Sequence, residues 1–315
     1  MADVLILGGT DVTIAVANAV LALGFEIRAV VTVGKAFDIS YSKTPVASAR
    51  FAPVDQWCAE HGIETIPFAG YDDVLEALKR RPARLCLAAG WYHHVPRTVR
   101  DRFERGCLGF HASLLPRLRG GAPLNWAILE GHEETGVSLF ALADGVDDGL
   151  IFGQERLPIG PRTMIGELVE AAATASVELV RAHLPAIFEG RAEGYTQRGT
   201  PSYCLQRCPE DGRIDWRKPA IDIDRLVRAV SRPYPGAFTD LDGKRVHIWQ
   251  TEPYGGKIAV SGMPGQLFRL PGSDRPHVVT GDGLLAIAEA TDDEGRAASD
   301  WLTRAAQKRF SNRSI

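Results

Sequence analysis

His111 and Asp147 are the two residues of this chain whose types and settings could do chemistry together. His111 ends a short apolar run, Leu108-Gly109-Phe110-His111. It opens a Pro- and Gly-rich loop that reads Ala112-Ser113-Leu114-Leu115-Pro116 and then Arg119-Gly120-Gly121-Ala122-Pro123. Asp147 comes about one helix and one strand later, in the turn Gly145-Val146-Asp147-Asp148-Gly149. A carboxylate beside an imidazole can fix the ring's tautomer and support its charged form. Such a pair is a general acid/base arrangement. An Asp-Asp-Gly turn on its own is ordinary turn chemistry, because Asp bonds its own backbone there. The whole string carries the reading, not either residue alone.

His-x-Ser-Leu-Leu-Pro-x-x-Arg-Gly followed by Gly-x-Asp-x-Gly resembles the folate-dependent formyltransferase family. That family includes enzymes acting on methionyl-tRNA, glycinamide ribonucleotide and amino sugars. The resemblance covers most of the chain and is most specific between His111 and Asp147. It implies transfer of a formyl group from 10-formyltetrahydrofolate, as donor substrate, to an amine or hydroxylamine of a small metabolite. It implies His111 and Asp147 as the catalytic pair, the motif register selecting Asp147 over Asp148 and Asp144. By the same resemblance Gly90, Trp91, Tyr92, His93, Gly109, Asp144 and Val146 would line the folate side. Ser113, Leu115, Arg119 and Gly120 would face the amine. In that chemistry an amine adds to a carbonyl, the carbonyl oxygen gains negative charge, and the nitrogen sheds a proton. His111 would donate to the oxygen or shuttle the proton, and Asp147 would orient His111.

One position departs from the family pattern. Two residues before the His the family has Asn, and here stands Gly109. Losing one donor to a developing oxyanion typically costs about 2.7–4 kcal/mol. Asn125 lies too far downstream, on an expected helix, to replace it. Gly109 is expected to leave room where Asn would sit. A backbone N–H, a water or a side chain from 90–94 could take over, or the donor or acceptor could differ. Three other functions therefore stand beside small-amine formylation: methionyl-tRNA formylation, folate binding without turnover, and hydrolysis of the formyl donor.

Composition narrows the partners. The chain has 315 residues, 45% hydrophobic and 24% charged, with net charge -3. That suits about two globular domains with a large core. No overall basic field attracts nucleic acid, and basic and acidic residues nearly balance from Gln206 onward. Nucleic acid is thus not an expected partner; a small-molecule amine is, and the family's barrel-tailed members suggest a homodimer. Five scattered cysteines read as thiols of a reducing compartment. No metal site is expected: Cys204 and Cys208 lack a second ligand pair, and the adjacent His93 and His94 diverge with no third ligand. No apolar run reaches the ~20 residues of a membrane helix, and no leader is evident, so the cytoplasm is the expected location.

The elements that must position the pair follow from patterning. Residues 3–7, 25–33, 64–67, 85–89, 108–111 and 137–142 read as strands, alternating with helices at 12–23, 54–61, 72–81, 97–105 and 123–130. This predicts a doubly wound α/β, Rossmann-like domain over 1–205. Gly8-Gly9-Thr10 lacks the G-x-G-x-x-G spacing and an acidic residue after the second strand, so it reads as a tight turn and not a dinucleotide site. Residues 36–50 read as a polar surface loop. A long helix is expected at 163–189, with a break near Pro185. From about 206 short alternating runs with Asp242-Gly243 and Asp282-Gly283 turns predict a small β-barrel, OB-like, over 206–315.

Overall fold

The computed structural model describes residues 3–39 and 45–311. The chain divides into two compact units, Met1–Pro123 with Glu134–Pro158 and Val169–Leu205, and Leu124–Glu133 with Ile159–Leu168 and Gln206–Ile315. Two short segments upstream of 206 thus cluster with the C-terminal unit.

The first unit is built in βα steps. In order come β1 (Asp3–Leu7), α1 (Asp11–Ala22), β2 (Glu26–Thr32), the short pair β3 (Ala36–Phe37) and β4 (Val46–Ala47), and α2 (Val54–Glu60). Then follow β5 (Glu64–Pro67), α3 (Tyr71–Arg80), β6 (Leu85–Ala88), α4 (Arg97–Arg100) and β7 (Cys107–His111). The loop expected over 36–50 contains the β3–β4 pair; 40–44 lie outside the described residues. The chain continues through β8 (Arg119–Gly120), α5 (Pro123–Leu129), β9 (Glu134–Ala141), β10 (Ile151–Pro158), α6 (Ile165–Phe188) and β11 (Tyr203–Cys204). Pro185 does not break α6: the helix runs on to Phe188, and the Glu189 N–H still bonds the Pro185 carbonyl at 3.1 Å.

Seven strands form one sheet in the order β10-β9-β7-β6-β1-β2-β5. Strands β7, β6, β1, β2 and β5 are parallel; β9 and β10 add antiparallel. Residues 4–7 and 85–88 are buried on both faces, as central parallel strands require. The order reverses between β1 and β6, which places the ends of those strands and of β7 around a topological switch point. The Gly-Gly-Thr turn there is closed by protein. The Thr13 hydroxyl accepts from the Thr10 N–H and donates to the Ala89 carbonyl, and a Cβ on Gly8 would lie 2.1 Å from that carbonyl. The helix expected over 97–105 is a single turn, α4. Arg105 N–H bonds the Arg84 carbonyl instead, steering the chain into β7.

The second unit contains α7 (Ala220–Val230), β12 (Ala237–Leu241), β13 (Lys244–Pro253), β14 (Leu267–Arg269), β15 (Pro276–Val279), β16 (Leu284–Asp292) and α8 (Ser299–Arg304). Its antiparallel sheet runs β12-β13-β16-β15-β14. The chain's last described residues tie the two edges together. Leu267 N–H bonds Lys308 O and Phe310 N–H bonds Gly265 O on one side, while Ser311 N–H bonds Asp240 O on the other. This makes the curled sheet the expected small barrel. Trp216 and Phe310 stack at 5.0 Å in its core, both fully buried. Asn125 is spent within this unit, donating to Ala229 O at 2.7 Å, so it replaces no missing donor at His111. Among the described residues no helix is long and apolar enough to cross a membrane.

Candidate active site

Strand β7 delivers His111 to the carboxyl edge of the sheet, and the Asp147 turn links its neighbour β9 to β10. Strand pairing therefore brings together residues 36 positions apart. His111 Nδ1 lies 3.4 Å from Asp147 Oδ2. That is long for a hydrogen bond, but within ion-pair distance. His111 is buried, and its Nε2 donates to the Leu118 carbonyl at 2.7 Å. A carbonyl only accepts, so Nε2 carries hydrogen. Nδ1 is then the nitrogen free to gain or release a proton on the carboxylate side.

Asp147 is held from its backbone outward. It adopts a left-handed conformation at φ 49°, which Asp tolerates better than most residues. Its Oδ2 also accepts from the Gly120 N–H at 2.8 Å. Asp148 folds back on its own turn, against Gly145. Asp144 pairs with Arg100, whose other arm bonds the Leu142 carbonyl at 2.9 Å. Only Asp147 of the three faces the imidazole.

The other residues singled out from sequence fall into distinct places. Gly120 sits against the Asp147 carboxylate, at φ 100°, with a Cβ excluded by the Cys204 carbonyl at 2.4 Å. Arg119 turns toward Gln197 and Tyr203. Ser113 is buried and donates to Arg117 O at 2.6 Å, while Leu115 packs with Phe140, Ile151 and Leu142. These two shape the loop from inside. Val146 is exposed on the Asp147 turn.

Residues 90–93 form an aromatic wall. Gly90, at φ 67°, packs directly on Thr10. Trp91 donates to the Tyr71 hydroxyl at 3.2 Å and meets Phe68 edge-on. Tyr92 shares a 2.9 Å hydrogen bond with Ser48. His93 packs on Phe68 and Trp91, and its buried Nε2 has no hydrogen-bond partner among the described residues. Burial holds the His93 imidazole below its ordinary pKa, favouring the neutral ring.

Gly109 differs from expectation. The space its missing side chain leaves is filled. A Cβ there would lie 2.7 Å from Leu142 Cδ2 and 3.3 Å from Phe140 Cε1. Leu142 occupies the place where a longer side chain would project, so this edge of the site is apolar and packed. Two participants carried no sequence signal. The Leu118 carbonyl is a main-chain group, and Gln197 lies about fifty residues beyond the turn it holds.

Comparison with known proteins adds the family. Residues 4–183 match the formyl transferase domain and residues 208–305 the formyl transferase C-terminal domain. The chain belongs to the formyl transferase family. This formyl transferase is 34% identical over 307 residues to a methionyl-tRNA formyltransferase of Arthrobacter sp. (strain FB24), with 95% of each chain covered. It is 33% identical to the Myxococcus xanthus (strain DK1622) methionyl-tRNA formyltransferase, over 76% of this chain and 74% of that one. In structure it is similar to an N-formyltransferase of Helicobacter canadensis in complex with folinic acid and dTDP-3-aminofucose, at TM-score 0.68 and 17% identity, covering 91% and 99% of the two chains. It also matches HypX of Aquifex aeolicus at TM-score 0.66 and 18% identity; 95% of this chain is covered, which spans 46% of HypX. Both structural likenesses concern the fold. As a formyl transferase the chain is a one-carbon transferase.

Proposed function

We propose that this protein moves a formyl group from 10-formyltetrahydrofolate to the amine or hydroxylamine nitrogen of a small metabolite. The observation that carries the reading is the imidazole of His111, set between the Leu118 carbonyl and the Asp147 carboxylate. The aromatic wall suits a folate. Phe68, Trp91 and His93 cluster there as an aromatic surface against which a pterin ring could pack. The donor, when bound, supplies the formyl carbon; the residues do the rest. The amine nitrogen attacks that carbon, the bond from the carbon to the folate nitrogen breaks, and the amine's proton must leave. His111 Nδ1 is the group placed to take or return a proton. Asp147 stabilises the ring when it is charged.

The small-amine acceptor is supported by the near-balanced charge after Gln206 and by the Arg232-Pro233-Tyr234-Pro235-Gly236-Ala237-Phe238 string, which resembles the family's sugar-nucleotide and small-amine members. Methionyl-tRNA is the second reading, favoured by the names of the relatives at 33–34% identity. The test is release of tetrahydrofolate from 10-formyltetrahydrofolate with a panel of primary amines and hydroxylamines, beside methionyl initiator tRNA. Turnover with a small amine, lost in His111→Ala, is expected. Turnover with the charged tRNA alone would move the acceptor to RNA. Donor loss with no acceptor present would make the protein a hydrolase.

A further inference from the structure

The segment after α6 runs as a strap across both halves of the site. Near its end the Arg119 N–H donates to Ser202 O at 2.9 Å, the Leu118 N–H donates to the Ser202 hydroxyl at 2.9 Å, and β11 pairs with β8. Those bonds hold the loop that presents the Leu118 carbonyl to His111. At its start stands Gln197. Its side-chain amide donates to the Asp147 carbonyl at 2.7 Å and to the Gly149 carbonyl at 2.9 Å. Its Oε1 accepts from Arg119 Nε at 3.2 Å and from the Arg119 terminal nitrogen at 2.7 Å. All the hydrogen-bonding capacity visible on this amide is spent joining the Asp147 turn to Arg119.

We infer that Gln197 is a positioning residue for the Asp147 carboxylate, and through Arg119 couples that carboxylate to the loop that meets the acceptor. The physical reason lies in the turn. Asp147 holds a left-handed backbone that a side chain disfavours, and the turn presents its carbonyls at 147 and 149 to the same side-chain amide. Two donors on one planar amide clamp both carbonyls in fixed relation. The carboxylate then stays over the Gly120 N–H and His111 Nδ1. A loosened turn would let it drift, and drift of about 1 Å in a reacting group can cost about a hundred-fold in rate. Gln197 touches no reacting atom; it acts through Asp147. The inference rests on the proposed formyl transfer for its kinetic arm alone.

Two variants test it. Gln197→Met keeps volume and removes every hydrogen bond. Gln197→Glu keeps the acceptor toward Arg119 and turns an acceptor toward the two carbonyls. Expected is a kcat lowered about ten- to a hundred-fold in both, with KM for the formyl donor within two-fold and an unchanged melting curve. A spectroscopic arm needs no turnover. The ¹⁵N signals of the His111 ring in both variants should shift toward those of Asp147→Asn, because the imidazole loses its carboxylate. An active wild type with kcat unchanged in both variants overturns the inference. So do His111 signals identical to wild type. If the wild type itself transfers no formyl group, the proposed function fails, and the ring signals alone decide for or against Gln197.

Discussion

His111 Nε2 lies 2.7 Å from the carbonyl oxygen of Leu118, and that single contact fixes the tautomer of the ring. Because the carbonyl can only accept, the exchangeable proton belongs to Nδ1, on the side of Asp147. Leu118 itself sits at φ 52°, in the left-handed region, which turns its carbonyl toward the imidazole.

Asp147→Asn separates charge from geometry. Asn tolerates the left-handed backbone as Asp does, and its amide oxygen can still accept from the Gly120 N–H. The fold should persist while the charged partner of His111 is gone. Steady-state kinetics should show kcat reduced by about a thousand-fold, in the range general acid/base groups contribute, with a thermal melt close to wild type. A rate near wild type would remove Asp147 from the chemistry.

Gly109→Asn, which restores the residue the family pattern carries, should destabilise the protein. Its Cβ meets Leu142 Cδ2 at 2.7 Å and Phe140 Cε1 at 3.3 Å, and overpacking of this kind costs about 1–3 kcal/mol. Leu142→Ala alone leaves a void. Combined, the two should compensate, so a double-mutant cycle in urea should give an interaction that favours the pair. Strict additivity would mean the two sites do not share space.

Phe310→Ala should unfasten the barrel. The ring is almost fully buried, stacks on Trp216 at 5.0 Å, and belongs to the segment that ties both sheet edges. Large-to-small changes of a buried aromatic cost about 3–5 kcal/mol. Denaturation followed by Trp fluorescence should show a loss of that size; a loss below about 1 kcal/mol would place the ring outside the core.

Stability should fall on mild acidification. Burial holds His277 below its ordinary pKa of 6.5, as it does His93 and His183. The folded state binds these protons less readily than the unfolded chain, so their contribution is whole above pH 6.5 and is lost as the pH falls through the folded values. His277 is packed between Tyr254 and Phe268 and donates from Nδ1 to the Arg275 carbonyl. Melting temperatures between pH 7.5 and 5.0 should therefore drop less steeply in His277→Phe than in wild type. An unchanged slope would show that another group sets the acid limb.

Local pattern determined much of this protein. The βα alternation, the turn glycines, the Asp242-Gly243 hairpin and the motif around His111 are short-range signals, and each is written in a few adjacent residues. Motif register points to Asp147 over its acidic neighbours; that its carboxylate lies 3.4 Å from His111 Nδ1 is a matter of tertiary packing. Tertiary structure decided the rest. Sequence cannot show that Leu142 fills the space beside Gly109, because that contact depends on how β7 and the end of β9 lie side by side. Nor can it show the Leu118 carbonyl at His111, which is a main-chain group with no residue code, or Gln197 on the Asp147 turn. Those relationships join residues far apart in the chain by single hydrogen bonds or van der Waals contacts. Only the folded backbone sets such distances.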